Sequence, residues 1–265
     1  MLFMGAGVKA WVYVDGFNLY YGAVKDTPYR WLNPVALAQQ MLPRQYTVTK
    51  LKYFTARVSG TNNPGAPARQ QAYLDAIGTL PEVEIHYGRF LSKNIWRPVT
   101  NFPVAGAQIH SPITVSIPVG IHRVDGGSLA NSSRLPVGVY PPRGAPRKRK
   151  ATTPLPDALI AEVHAMEEKG SDVNLAAHLL NDAWKGAFDE AVVISNDTDL
   201  CEPIRMVSVE RKLPVLVICP STKWPMAQDL QRVATFRAYL RSGMLRKAQL
   251  PDPIPGTTIR KPSGW

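Results

Sequence analysis

Residues 191–200 read AVVISNDTDL, and this stretch decides the fold. Ala191 to Ser195 form a short apolar run suited to a strand buried on both faces. The run passes straight into a polar loop that carries two carboxylates, Asp197 and Asp199, two positions apart. Negative charges that close repel unless something positive sits between them. The same pattern appears near the start, where AWVYVD (10–15) is an apolar run ending at Asp15, and LPVLVICP (213–220) is a third strand-like run. VTKLKYFTARV (48–58), EVEIHYGRF (82–90) and LIAEVHAM (159–166) also read as strands.

Helical patterns lie between these runs. Asn33 and Pro34 open PVALAQQML with an N-cap and a proline at the first helical position. ARQQAYLDAIGTL (68–80) puts Ala72, Ala76 and Leu80 on one face, and SDVNLAAHLLNDAW (171–184) lines up Leu175, Leu179 and Ala183 with Ala176. Further helices are expected from about Leu200 and over PMAQDLQRVATFRAYLR (225–241). Strand–helix alternation of this kind predicts an α/β fold, a parallel sheet with helices on both faces, and a site at the carboxyl ends of the strands.

Residues 92–157 break the rhythm. They are rich in Pro, Gly and Ser, with PITVSIPVGIHRV (112–124) compatible with a β-hairpin around Pro118 to Gly120 and PPRGAPRKRK (141–150) reading as a basic tether. The expectation is one domain over 1–265, with an insertion at 92–157 and a C-terminal helix and tail at 225–265.

The chain is 45% hydrophobic and 19% charged, as folded proteins are, but carries a formal charge of +11. That excess suits a polyanionic partner, nucleic acid first, or a basic solvated surface. Cys201 and Cys219 are too few for a disulfide framework or a cysteine metal cluster. No charged and apolar leader pattern opens the chain and no apolar run approaches the roughly 20 residues of a membrane span, so a cytoplasmic location is expected.

The acids fall at one edge of the expected sheet: Asp15, Asp197 and Asp199 after strands, and Asp172 at a helix start. Taken singly, each has an ordinary explanation. Asp199 with Glu202 matches a capping box, Asp172 a first-turn acid, and Asp15 the start of a turn in which Gly16 supplies unusual dihedrals. Taken together, an all-oxygen cluster suits a hard cation, Mg²⁺ or Mn²⁺. The glycines of a Rossmann site precede the first strand here, no GxxxxGK[ST] loop or GxSxG elbow occurs, and Phe17 stands where a haloacid-dehalogenase phosphatase wants its second Asp. Metal-dependent phosphodiester hydrolysis is the expected chemistry.

YVDGFNLYYG (13–22), EEKGSDVNLAAHLL (167–180) and VISNDTDLCEPIRM (193–206) resemble NYN-domain proteins of the LabA-like group, in the PIN-like nuclease superfamily. AQLPDPI and IRKPSGW near the C-terminus resemble tails of that group. The resemblance implies a PIN-like fold and a metal-dependent endoribonuclease. It places Asp15, Asp172, Asp197 and Asp199 in a catalytic and metal-binding cluster, with Asn18, Ser195, Lys169 and Glu168 in support. It departs at His178, where many relatives carry an acid, and at a further helix acid for which Glu168 or Asp75 is on offer. RNA is the expected partner, bound through Tyr20, Tyr21 and Arg69 and through the tether residues Arg147, Lys148, Arg149 and Lys150. Trp31 could likewise stack a base, with core packing as the alternative for Tyr20 and Trp31 alike, and His86 reads as a satisfied core histidine. A non-catalytic RNA-binding or regulatory module, or more distantly a DNA nuclease, stands as the alternative, and self-association is left open.

Overall fold

The computed structural model describes residues 7–60, 63–98, 118–124, 158–221 and 224–265. The chain divides into two compact units, residues 1–90 with 168–265, and residues 91–167. In the first unit, β1 (Val8–Asp15), β2 (Tyr46–Thr55), β3 (Val83–Tyr87), β7 (Glu190–Ile194), β8 (Val215–Cys219) and β9 (Phe236–Tyr239) form one six-stranded sheet in the order β3-β2-β1-β7-β8-β9. Every pairing in it is parallel. In the second unit, β4 (Arg89–Pro98), β5 (Pro118–Val124) and β6 (Ala158–Lys169) form a three-stranded sheet in the order β4-β6-β5, with β5 and β6 antiparallel.

The central strands are apolar throughout because both faces are covered. Val12, Val14, Val192, Ile194, Leu216 and Ile218 point into one core. This core is closed by α1 (Gly16–Leu19) with the π-helical turn Tyr20–Val24, and by α2 (Pro34–Met41), α3 (Ala66–Gly78) and the C-terminal segment around Leu250 and Ile254. Tyr13, Phe54, Ala191, Val193, Val215 and Val217 alternate with them into a second core, under α4 (Ser171–Trp184), α5 (Cys201–Arg205) and α6 (Gln228–Val233). Leu175, Leu179 and Ala183, the expected stripe of α4, are fully buried there, each leucine contributing about 1.5–3 kcal/mol. Asn33 caps α2 through its side chain, which accepts from the Ala36 N–H. α4 opens from Gly170, whose φ of 93° lies in the left-handed region that favours glycine.

Three expectations need correction. The helix expected over 225–241 is the six-residue α6 followed by β9, because Thr235, Phe236 and Tyr239 supply β-favouring side chains beside the exposed flank of β8. α7 (Ser242–Lys247) then follows. The apolar stripe of α3 is centred on Tyr73, Leu74, Ala76 and Ile77, and Ala72 and Leu80 are only half-buried. Residues 118–124 are a single strand paired to β6. The other arm of the expected hairpin and the tether at 141–150 lie outside the described residues. Trp31 is core, donating its indole N–H to the Pro251 carbonyl at 3.0 Å.

Candidate active site at the carboxyl edge of the sheet

β1 ends on Asp15, and its register partner on β2 is Phe54, which in turn partners His86 on β3. On the other side, Val14 pairs with Ile194, so the next residue, Ser195, stands level with Asp15. His86, Phe54, Asp15 and Ser195 therefore make a row across the carboxyl edge, on the face that α4 covers. Parallel strands bring these residues together although they lie far apart along the chain.

Asp15 is 5% exposed and well supported. Its Oδ1 accepts from the Asn18 N–H at 2.9 Å and its Oδ2 accepts from the Ser195 hydroxyl at 3.0 Å. The Ser195 oxygen accepts in turn from the Asp197 N–H at 3.1 Å. Asn18 Oδ1 accepts from the Asn196 N–H at 3.2 Å, and the Asn196 side chain bridges to the Pro225 carbonyl and the Ala227 N–H. Asn18 and Ser195 thus both bond to Asp15, the first through its backbone N–H and the second through its hydroxyl. Sequence reasoning passed over Asn196, whose signal was only its place between Ser195 and Asp197.

Gly16 has a different role from the one expected. Its φ is helical, and what it supplies is space: a Cβ there would stand 2.7 Å from a Tyr53 ring carbon and 2.8 Å from the Phe54 carbonyl. Burial first, and then the Asp15 charge, push the Tyr53 phenol above its usual range, so it stays neutral.

The capping roles also change hands. Asp197 is the cap, accepting from the Asp199 N–H at 2.9 Å, and Asp199 lies inside the 3₁₀ turn Thr198–Leu200 with its side chain exposed. The helix that follows has Leu200 at its N-cap with no side-chain bond, so the Asp199–Glu202 capping box is not formed. Burial, followed by Asp229, Asp197 and Asp199, pushes the Cys201 thiol up, which registers the negative field of this edge. Asp172 occupies the first turn of α4 as expected, half-buried.

Lys169 ends β6 with an exposed side chain, and Glu168 precedes it in the same strand. Asp75 sits on an exposed flank of α3, accepting from Gln71. Arg69 is on the same helix, bonded to Asn63. Arg147, Lys148, Arg149, Lys150 and His110 lie outside the described residues. Among the described residues, no three His, Cys, Asp or Glu side chains are placed to hold a metal ion. Asp15 Oδ1 and Oδ2 each accept from a protein donor.

An aromatic wall flanks the row. Phe17 stacks on Tyr21 at 6.4 Å and meets Phe90 edge-on at 5.8 Å. Tyr21 is 61% exposed, whereas Tyr20 packs partly against the core and meets Tyr21 edge-on.

A second polar group sits under α4 beside this edge. Lys52 donates to Asp182 Oδ2 at 2.6 Å, with the two side chains only 8% and 7% exposed. The Tyr13 hydroxyl donates to the same oxygen at 2.9 Å, and Lys52 Nζ lies 3.1 Å from His178 Nδ1. The His178 and His86 rings are 4.1 Å apart, and Phe54 stacks on His86 at 4.9 Å. His86 is half-buried, and its Nε2, though 3.1 Å from a Glu84 oxygen, has no hydrogen-bonding partner among the described residues, so it is not the satisfied core histidine expected. Burial is the first cause holding both imidazoles below their usual pKa. The second is the His178 ring for His86, and Lys52 for His178.

No family model matches the chain. Its described helices include none long and apolar enough to cross a membrane. A solved structure of a protein of unknown function from Vibrio parahaemolyticus covers 91% of this chain and 98% of its own, at 13% identity and a TM-score of 0.45, which carries no argument. The chain is 28% identical, over 96% of its length and 74% of the relative's, to the 6-hydroxy-3-succinoylpyridine 3-monooxygenase of Pseudomonas putida. That relative is an oxidoreductase, and it overturns the expectation of a Mg²⁺- or Mn²⁺-dependent endoribonuclease that hydrolyses phosphodiester bonds.

Proposed function

We propose that the protein is an oxidoreductase of the monooxygenase class acting on a flat nitrogen-heteroaromatic substrate of the hydroxypyridine kind. The observation that carries this reading is the similarity to the pyridine monooxygenase along nearly the whole chain. The site's chemistry agrees with it. Phe17, Tyr21 and Phe90 offer ring faces and edges for an aromatic ligand. The Asp197 carboxylate and the Asn18 amide, both half-buried, offer an acceptor and a donor to a ring hydroxyl or nitrogen. Asp15 and Ser195 hold the loop that presents them. The NYN-like motifs on this reading mark a scaffold, and one scaffold carries different chemistries.

The test is aerobic incubation of the full chain with 6-hydroxy-3-succinoylpyridine and simpler hydroxypyridines, with reduced nicotinamide or reduced flavin as two-electron donor. Substrate-dependent oxygen uptake is expected, with one atom of labelled dioxygen in the product and the other in water. Absence of coupled uptake with every donor and pyridine would overturn the proposal.

The net charge of +11 favours a second reading, in which the chain also binds RNA without cleaving it. Replacing Arg147, Lys148, Arg149 and Lys150 by Ala is expected to weaken RNA binding and flatten its salt dependence. Unchanged affinity and slope would leave the tether a solvated linker.

A further inference from the structure

The hydrogen-bonding logic around Lys52 fixes the state of a histidine at the edge of the candidate site. An ammonium group has donors only. Lys52 Nζ, 3.1 Å from His178 Nδ1, therefore requires that nitrogen to be the acceptor. The remaining proton of the neutral ring must sit on Nε2. Among the described residues no partner accepts from that Nε2–H, and the side chain is half-exposed. The donor is also strengthened, because a cation donating to one ring nitrogen polarises the N–H on the other.

The frame behind it is rigid. Asp182 accepts from Lys52 and from the Tyr13 hydroxyl, and the Trp11 ring lies 5.3 Å from Lys52 Nζ. His86 and Phe54 hold the imidazole from the side, with Phe54 the register partner of Asp15. A polarised N–H on a fixed ring, one strand from the acid row, is a receptor for an oxygen acceptor on a ligand.

We propose that His178 Nε2–H, fixed in that tautomer by Lys52, is a recognition element for a carboxylate-bearing tail on the ligand of this site. The choice of a carboxylate rests on the proposed substrate class, a pyridine with a succinoyl substituent. His178 binds and orients here; it passes no proton.

The experiment separates this inference from the proposed reaction, because it needs no turnover. Nitrogen-15 NMR of the imidazoles in the native protein is expected to show His178 protonated on Nε2. Titration with succinate should shift that Nε2–H signal, and the uncharged control succinamide should bind more weakly. His178→Leu should weaken succinate binding by about tenfold or more, the scale of a hydrogen bond to a charged group. His178→Gln keeps an oxygen for Lys52 and an N–H outward, and should bind within about threefold of the native protein, since the hydrogen-bond inventory is retained. A His178 protonated on Nδ1, no response to succinate, or equal binding by His178→Leu would each overturn the inference. If turnover on pyridines fails while these results hold, the carboxylate site stands and the reaction class falls.

Discussion

Asp182→Ala isolates the buried pair that pins α4 to the sheet. The substitution leaves the Lys52 ammonium under the helix without its bonded carboxylate, beside His178 Nδ1 and the Trp11 ring, and leaves the Tyr13 hydroxyl without its acceptor. Removing one partner of a buried ion pair costs about 3–5 kcal/mol, because the other charge stays desolvated. For a folded unit of this size each kcal/mol moves Tm by about 2–4 °C, so a fall of about 6–20 °C is expected. Replacing the whole group, in Tyr13→Phe/Lys52→Met/Asp182→Leu, removes both charges and the hydroxyl together. Stability should then return to within about 1.5 kcal/mol of native, as apolar replacements of buried ion pairs are often neutral. Urea unfolding of the single and triple variants, followed by circular dichroism, measures both. A cost below about 1 kcal/mol for Asp182→Ala would refute the reasoning, since the pair would then behave as a solvated surface bridge.

Three further outcomes are expected. His86 and His178 are held below their usual pKa in the folded state, so the unfolded chain takes up protons first as pH falls. Stability should be level above about pH 7.5 and drop as pH falls through about 6.5 toward the lowered folded values, and thermal melts of His86→Phe/His178→Gln should show a flatter profile. Gly16→Ala forces a methyl against the Tyr53 ring and the Phe54 carbonyl and should cost about 1–3 kcal/mol in urea unfolding; a silent substitution would show the α1 turn free to shift. Asp197→Ala removes a cap and should cost about 1 kcal/mol, whereas Asp199→Ala should change stability by no more than about 0.5 kcal/mol; the reverse order would restore Asp199 as the cap.

Much of the sheet was legible because local chemistry and tertiary demand agree there. AVVI (191–194) and VLVIC (215–219) are apolar throughout because helices cover both faces of β7 and β8, and a strand buried on both faces has no polar side to alternate. The α2 cap at Asn33 and the apolar stripe of α4 are equally local facts. The segment 225–241 was misread because β9 owes its strand to pairing with β8 across space, which helical spacing along one chain does not encode.

For the site, the sequence by itself determined that acids follow the strands and that Asn18 and Ser195 stand beside them. It did not determine what those acids do. Only the tertiary structure shows that Asp15 accepts from Asn18 and Ser195 and that Asp197 caps the Asp199 N–H. The Tyr13–Asp182–Lys52–His178 group had no sequence signature at all. Its members come from two parallel strands and a helix, and each residue alone reads as an ordinary surface or core position. Register puts Lys52 beside Tyr13, and α4 lowers Asp182 onto both. A buried charge persists only where its partner is delivered from elsewhere in the chain, so such a group exists only once the fold is made.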